Sequence, residues 1–458
     1  MFFLLALFGI AVGMSLVLLP FPANCAVPYA LILLVLSVVR PWVVILFLLG
    51  MTPLRILWLA GGISPVELLY SLSFLWLLGI SILRQFFRKP VAAPAAWRTP
   101  VVGVVWGMMG VGVWGALVGI LRGHPFSHWT SDLNFILFFG LYFVVTVNVK
   151  DSRDLWKVLW LSMWVTAGVI LWGIYRRISE GTVFYGIAPG FPRGMAFGST
   201  FFILFTCLLL FSKGGSLKRT GLFFLTLFFG LHQILSFVRA IWIAQIAAVG
   251  FILMVLPFSE KHRLLRGLGA VCVLLSLLLS LFSVLPTENQ VVKMSIHVMH
   301  RFLSIFIDVG GRGATMQTRY SEWTAALRKF SEHPLIGNGL GTEIQFIRYD
   351  YASLPLTTER YIHSSYIYYL LNTGPLGLLI FLWFCICCVT YGLRVYRALS
   401  DPELKGLSLG MTASVVFQIF ASIAGSELSN PARTIWTGFF LGALAVIDRE
   451  AKRMKEKA

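Results

Sequence analysis

The chain has 458 residues, 58% of them hydrophobic and only 12% charged, which excludes an ordinary soluble domain, where charged residues make up about 25%. It reads as a polytopic membrane protein. The formal net charge of +18 does not point to nucleic acid, because the lysines and arginines gather in short loops between oily segments, where membrane topology accounts for many of them.

Taken in chain order, the opening MFFLLALFGIAVGMSLVLL lacks a basic leading region and a small-residue cleavage site, so a retained first span is expected rather than a removed signal peptide. Apolar runs near the ~20 residues that a helix needs to cross a bilayer follow. They lie at roughly 3–19, 66–83, 101–121, 132–149, 157–175, 194–212, 221–236, 240–257, 267–284, 363–391, 405–425 and 432–448. Residues 27–59 are divided by Arg40-Pro41 into two short spans or one kinked helix with an interfacial segment, with two spans preferred, which puts the expectation at about 12–14 helices in an all-α architecture. The chain divides into N-terminal spans (1–284), one large loop (285–362), and C-terminal spans with a tail (363–458). Six cysteines sit mostly inside apolar runs, which fits buried thiols better than a disulfide framework.

The basic stretches Arg84 to Arg98, Lys150 to Lys157, Lys213 to Arg219, Lys261 to Arg266, Arg394 to Lys405 and Lys452 to Lys457 all fall on one side, expected to be cytoplasmic. Alternation then puts His124, Arg193, Arg239, the 285–362 loop and Ser426 to Arg433 on the external side. In that loop, TRYSEWTAALRKFSEH has Tyr320, Trp323, Leu327 and Phe330 at helical spacing, which predicts an amphipathic helix packed on the membrane domain by those residues. HPLIGNGLG follows, and its alternating glycines argue for a tight turn or a close backbone approach.

Arginine at the external end of a span runs against the positive-inside bias, so each such residue needs a reason. Arg239, in ILSFVRAIWIAQ, stands between two hydrophobic runs joined by a minimal turn and is a candidate fixed cation for a phosphate group. Arg193 in PGFPRGMAF and Arg319 on the loop helix are further candidates, although a solvated loop, or a local pair with Glu322, accounts for each equally simply. Arg433 beside Pro431, with Glu427 near it, and Trp323 on the loop helix complete the set. His363 opens an oily span on the same side as these cations. A lone histidine at an interface is most often a hydrogen-bonded structural residue; against that, its imidazole suits proton removal near neutral pH, and a base among cations points to chemistry on an anionic substrate. The spans hold hardly any carboxylate at mid-membrane depth, which weighs against a proton-coupled transporter. No His-Glu-x-x-His, Asp-x-Asp or Gly-x-Ser-x-Gly occurs, so neither metal hydrolysis nor serine acyl transfer has support and no metal or other cofactor is expected.

Three stretches, SFVRAIWIA, RYSEWTAALRKFSEHPLIGNGLG and IHSSYIYYLLNTGPLGLLIF, together resemble the O-antigen ligase and polymerase superfamily, integral-membrane glycosyltransferases that use polyprenyl-diphosphate-linked glycans. The resemblance covers roughly Ser236 to Phe381, and where many members have His-Asn this chain has His363-Ser364. It implies a GT-C-like bundle with one large external loop containing amphipathic helices. It also implies that His363 takes the proton of an acceptor hydroxyl while Arg239 and Arg319 bind the diphosphate. The expected partners are an undecaprenyl-diphosphate-linked glycan as donor, lipid A-core as acceptor and membrane lipids, with the site on the periplasmic face of a bacterial inner membrane. A polymerase of lipid-linked repeats is the nearest rival; a lipid-glycan flippase, which would use cations without needing a base, is the rival of another class.

Overall fold

A computed structural model describes residues 41–55, 65–87, 99–179, 196–234, 236, 238–269, 296, 299–300, 302–305, 313–349 and 356–457. The expected first span, the first piece of 27–59, most of 267–284 and Arg193 lie outside the described residues. The elements in chain order are α1 (Pro41–Arg55), α2 (Pro65–Phe87), α3 (Val101–Leu121), α4 (Phe126–Leu137), α5 (Leu141–Asn148), α6 (Ser152–Ser179), α7 (Ala196–Phe211), α8 (Ser216–Ile234), α9 (Arg239–Val255), α10 (Ala314–Phe330), β1 (Ile344–Ile347), β2 (Leu356–Glu359), α11 (Ser365–Ala398), α12 (Pro402–Ala421) and α13 (Pro431–Lys457). The fold is an all-α polytopic membrane bundle with, among the described residues, one small hairpin. Among the described residues, five segments are long and apolar enough to cross a membrane: α3, α4 with α5, α6, α11 and α12.

Inside a bilayer apolar surface alone does not drive helices together, so close packing depends on small residues at the seams. Helix α12 carries Gly406 and Gly410 four apart, and packs on α7, α9 and α11. A Cβ at Gly406 would lie 3.0 Å from the Cys207 carbonyl, and one at Gly410 would lie 3.0 Å from the Leu204 Cα. These two glycines let the backbones of α12 and α7 nearly touch. Start signals are local: Asp401 accepts from the Leu404 N–H at 2.8 Å with Pro402 in the first turn, and the Ser364 side chain caps α11 by accepting from the Ile367 N–H. Cys207, Cys385 and Cys388 are buried and unbridged, as their apolar surroundings predict.

Helix α11 is broken at Gly374, which has φ 73°, followed by Pro375. Proline has no N–H to give the Leu371 carbonyl one turn earlier, and the turn at Gly374 takes the Asn372 carbonyl out of the ladder as well. The loop after α10 supplies the missing donors. Asn338 N–H reaches Leu371 O at 2.7 Å, Gly339 N–H reaches Asn372 O at 2.9 Å, and Leu340 N–H reaches Gly115 O on α3 at 2.8 Å. The alternating glycines therefore do make a close backbone approach, into a helix break rather than around a phosphate.

Candidate active site

Helix α10 carries Arg319, Glu322 and Trp323. Its orientation differs from the expectation: the buried residues are Thr318, Glu322 and Ala326, whereas Tyr320 and Leu327 are 48% and 46% exposed. Polar bonds to the following chain decide this. Thr318 Oγ1 accepts from the Tyr349 N–H at 2.8 Å, Ser321 Oγ accepts from the Ile347 N–H at 3.1 Å, and Glu322 accepts from the backbone N–H of His363. Trp323 and Phe330 pack partly against the core, as expected.

The centre of the site is Glu322, which is 0% exposed. Its Oε2 lies 2.8 Å from His363 Nδ1 and 3.2 Å from Arg319 Nη1, while Oε1 takes the His363 N–H. Burying a carboxylate is costly unless it is paired and hydrogen-bonded, and these three contacts supply that compensation. Because a carboxylate accepts and does not donate, Nδ1 carries the proton in this contact, and the lone pair of a neutral ring is on Nε2. The expected setting of His363, a base among cations, is thus replaced by a carboxylate shared between the base and one cation.

A second polar group adjoins the first. The Tyr361 ring meets the His363 ring edge-on, with centroids 4.7 Å apart, and its hydroxyl accepts from Ser426. Next to Ser426, Glu427 Oε2 sits 2.6 Å from Nε of Arg433, a buried arginine. That contact is close in distance without hydrogen-bond alignment, so it acts as an ion pair. The indole N–H of Trp323 is buried and has no hydrogen-bond partner among the described residues.

The chain leading into His363 is anchored from α4. Asp132 Oδ2 accepts from the Gly341 N–H at 2.9 Å, its Oδ1 lies 3.6 Å from Arg360, and Arg360 also donates to the His128 carbonyl at 3.0 Å. On the other side of the loop, Arg122 donates to Asn338 at 3.1 Å. Burial lowers the Arg122 guanidinium from its ordinary value, with Glu332 opposing.

Arg239 stands at the first position of α9, and its described hydrogen bonds run to Ser304, to Oγ at 2.9 Å and to the carbonyl at 3.4 Å. It ties the long loop to the α8–α9 turn. Of the residues singled out from sequence, the structure gathers His363 and Arg319 around Glu322, sets Trp323 beside them on α10, and brings the Glu427–Arg433 pair alongside through Tyr361 and Ser426. Glu322 had been seen only as a possible partner of Arg319. Its spacing of four from both Thr318 and Ala326 was the available signal for the buried face.

Residues 198–382 match the family model described as O-antigen ligase. The matched stretch contains Arg239, Arg319, Glu322, Trp323 and His363, starts after Arg193 and ends before Glu427 and Arg433. No curated protein matches the chain. Residues 198–382 are thus similar to the O-antigen ligase family, which supports an O-antigen ligase or polymerase type of function, and the long apolar helices make the chain a multi-pass membrane protein.

Proposed function

We propose that this chain is an O-antigen ligase, transferring a glycan from undecaprenyl diphosphate to a hydroxyl of lipid A-core at the periplasmic face of the inner membrane and without a metal. The observation that carries the reading is Glu322, buried between His363 Nδ1 and Arg319. With Nδ1–H held by the carboxylate, His363 Nε2 takes the proton of the acceptor hydroxyl as its oxygen attacks the anomeric carbon. The bond from that carbon to the diphosphate oxygen breaks, and the diphosphate leaves with the electron pair. Glu322 offsets the positive charge that His363 gains, as the carboxylate does in a serine-hydrolase triad. Arg319 meets the negative charge that develops on the leaving group, and Arg239 holds the rest of the diphosphate. The Trp323 indole N–H is a donor that a sugar hydroxyl would satisfy.

A polymerase would use the same donor chemistry and differ only in taking a second lipid-linked repeat as acceptor. The test is an assay of the purified protein in nanodiscs, without added metal, given a polyprenyl-diphosphate glycan with or without lipid A-core. Product on lipid A-core supports the ligase. Lengthened polyprenyl glycan in the absence of that acceptor assigns a polymerase instead, and no transfer with either acceptor overturns both.

A further inference from the structure

Beyond the break at Gly374-Pro375, α11 continues to Ala398, roughly 36 Å at ~1.5 Å per residue, more than the ~30 Å hydrocarbon core. Its far end therefore lies on the membrane face opposite His363. One side of this stretch is an exposed apolar stripe: Leu379, Trp383 and Ile386 are 62%, 64% and 64% exposed, while Phe381, Phe384 and Cys388 are buried on the other side. The same stripe continues at helical spacing through Thr390, Arg394 and Arg397. There a shallow cavity of about 460 Å³ opens, with Leu393 and Ala398 also among its described lining residues.

The polar chemistry of this cavity is cationic. The Thr390 hydroxyl turns back to donate to the Ile386 carbonyl at 2.9 Å, which leaves the two guanidinium groups as the polar lining among the described residues. Neither arginine has an ion-pair partner among the described residues. The acidic residues that follow are already engaged, Asp401 as the cap of α12 and Glu403 with Lys218. An apolar stripe as long as an acyl chain, ending in two guanidinium groups one turn apart, matches one amphiphile: a lipid with an anionic phosphate head.

We propose that Arg394 and Arg397 form a binding site for the headgroup of an anionic glycerophospholipid, whose acyl chains lie along Leu379, Trp383 and Ile386. The site is on the opposite membrane face from the His363 group, so it stands or falls independently of the transferase reading. A soluble phosphate would use the two cations but leave the stripe unused.

The experiment is native mass spectrometry of the full-length protein released from nanodiscs of phosphatidylcholine doped with phosphatidylglycerol. Wild type retains phosphatidylglycerol several-fold beyond its share of the disc. R394Q/R397Q loses that excess, R394K/R397K keeps most of it, and Arg453→Gln/Lys455→Gln, which removes equal charge elsewhere, leaves it unchanged. Equal retention by wild type and R394Q/R397Q overturns the proposal, and so does displacement of the lipid by millimolar glycerol phosphate, which would make this a soluble-anion site. Should R394Q/R397Q fail to fold, photocrosslinking of wild type with a phosphatidylglycerol carrying a diazirine in its acyl chain decides. Label on residues 379–398 supports the site, and label confined to other helices overturns it.

Discussion

The backbone N–H of Gly339 donates to the carbonyl of Asn372 at 2.9 Å, so the loop that follows α10 completes the hydrogen bonding of the broken helix α11. Since α10 carries Arg319 and Glu322 and α11 is preceded by His363, this joint sets the spacing of the candidate active site.

Gly339 has φ 86°, and a Cβ there would lie 2.6 Å from the Gly119 Cα, in a backbone contact that cannot yield. Gly339→Ala is expected to destabilise the protein by about 1–3 kcal/mol through strain and overpacking. Gly110→Ala, on an exposed position of α3 where a Cβ meets nothing within 4 Å, is expected to be neutral or mildly stabilising. Thermal unfolding in detergent, followed by intrinsic fluorescence, compares the two.

Arg433 is buried and pairs with the partly buried Glu427, and removing the arginine takes that cation away from the Glu427 carboxylate. Arg433→Gln is expected to cost about 1–3 kcal/mol of stability. The measurement is the melting temperature alongside donor affinity: a large loss of the first marks a structural pair, whereas an unchanged melting temperature with weakened donor binding would move Arg433 into the substrate site.

Asp132 holds both the Gly341 N–H and Arg360. Asp132→Ala is expected to cost about 1.5–3 kcal/mol, the scale of a hydrogen bond to a charged group. Asp132→Asn should cost less, because its amide oxygen can still take the Gly341 N–H. Thermal melts of the two variants test the order.

Donor binding separates the two arginines from their neighbours. Arg319→Gln and Arg239→Gln are each expected to weaken binding of a polyprenyl-diphosphate glycan about tenfold, the loss of one charge-assisted contact. Ser304→Ala, which removes a side-chain partner of Arg239 at 2.9 Å, should leave affinity nearly unchanged. A titration of donor against each variant in nanodiscs reads the difference.

The membrane class and most of the described helices were legible from apolar run length, because a bilayer imposes that length; the run at 101–121 coincides with α3. The small hairpin of β1 and β2 was not, since four-residue strands carry no periodic signal above noise. The face of α10 was misjudged because apolar spacing normally marks the buried side, whereas here hydrogen bonds from Thr318 and Glu322 to the following chain outweigh it. His363 stood out by its position before an oily span, but its partner could not. Glu322 and His363 are 41 residues apart, and that contact exists only once the glycine loop has docked on α11.

The account turns on the pairing of His363 with Glu322, and the most direct measurement is the rate of glycan transfer to lipid A-core by purified wild type, His363→Ala, Glu322→Gln and Glu322→Asp at saturating donor. The expected result is a loss of roughly 10²–10⁴-fold for His363→Ala and of about 10–100-fold or more for Glu322→Gln, with partial recovery in Glu322→Asp and donor binding retained in all. Transfer by His363→Ala at the wild-type rate, in a folded protein, would contradict it.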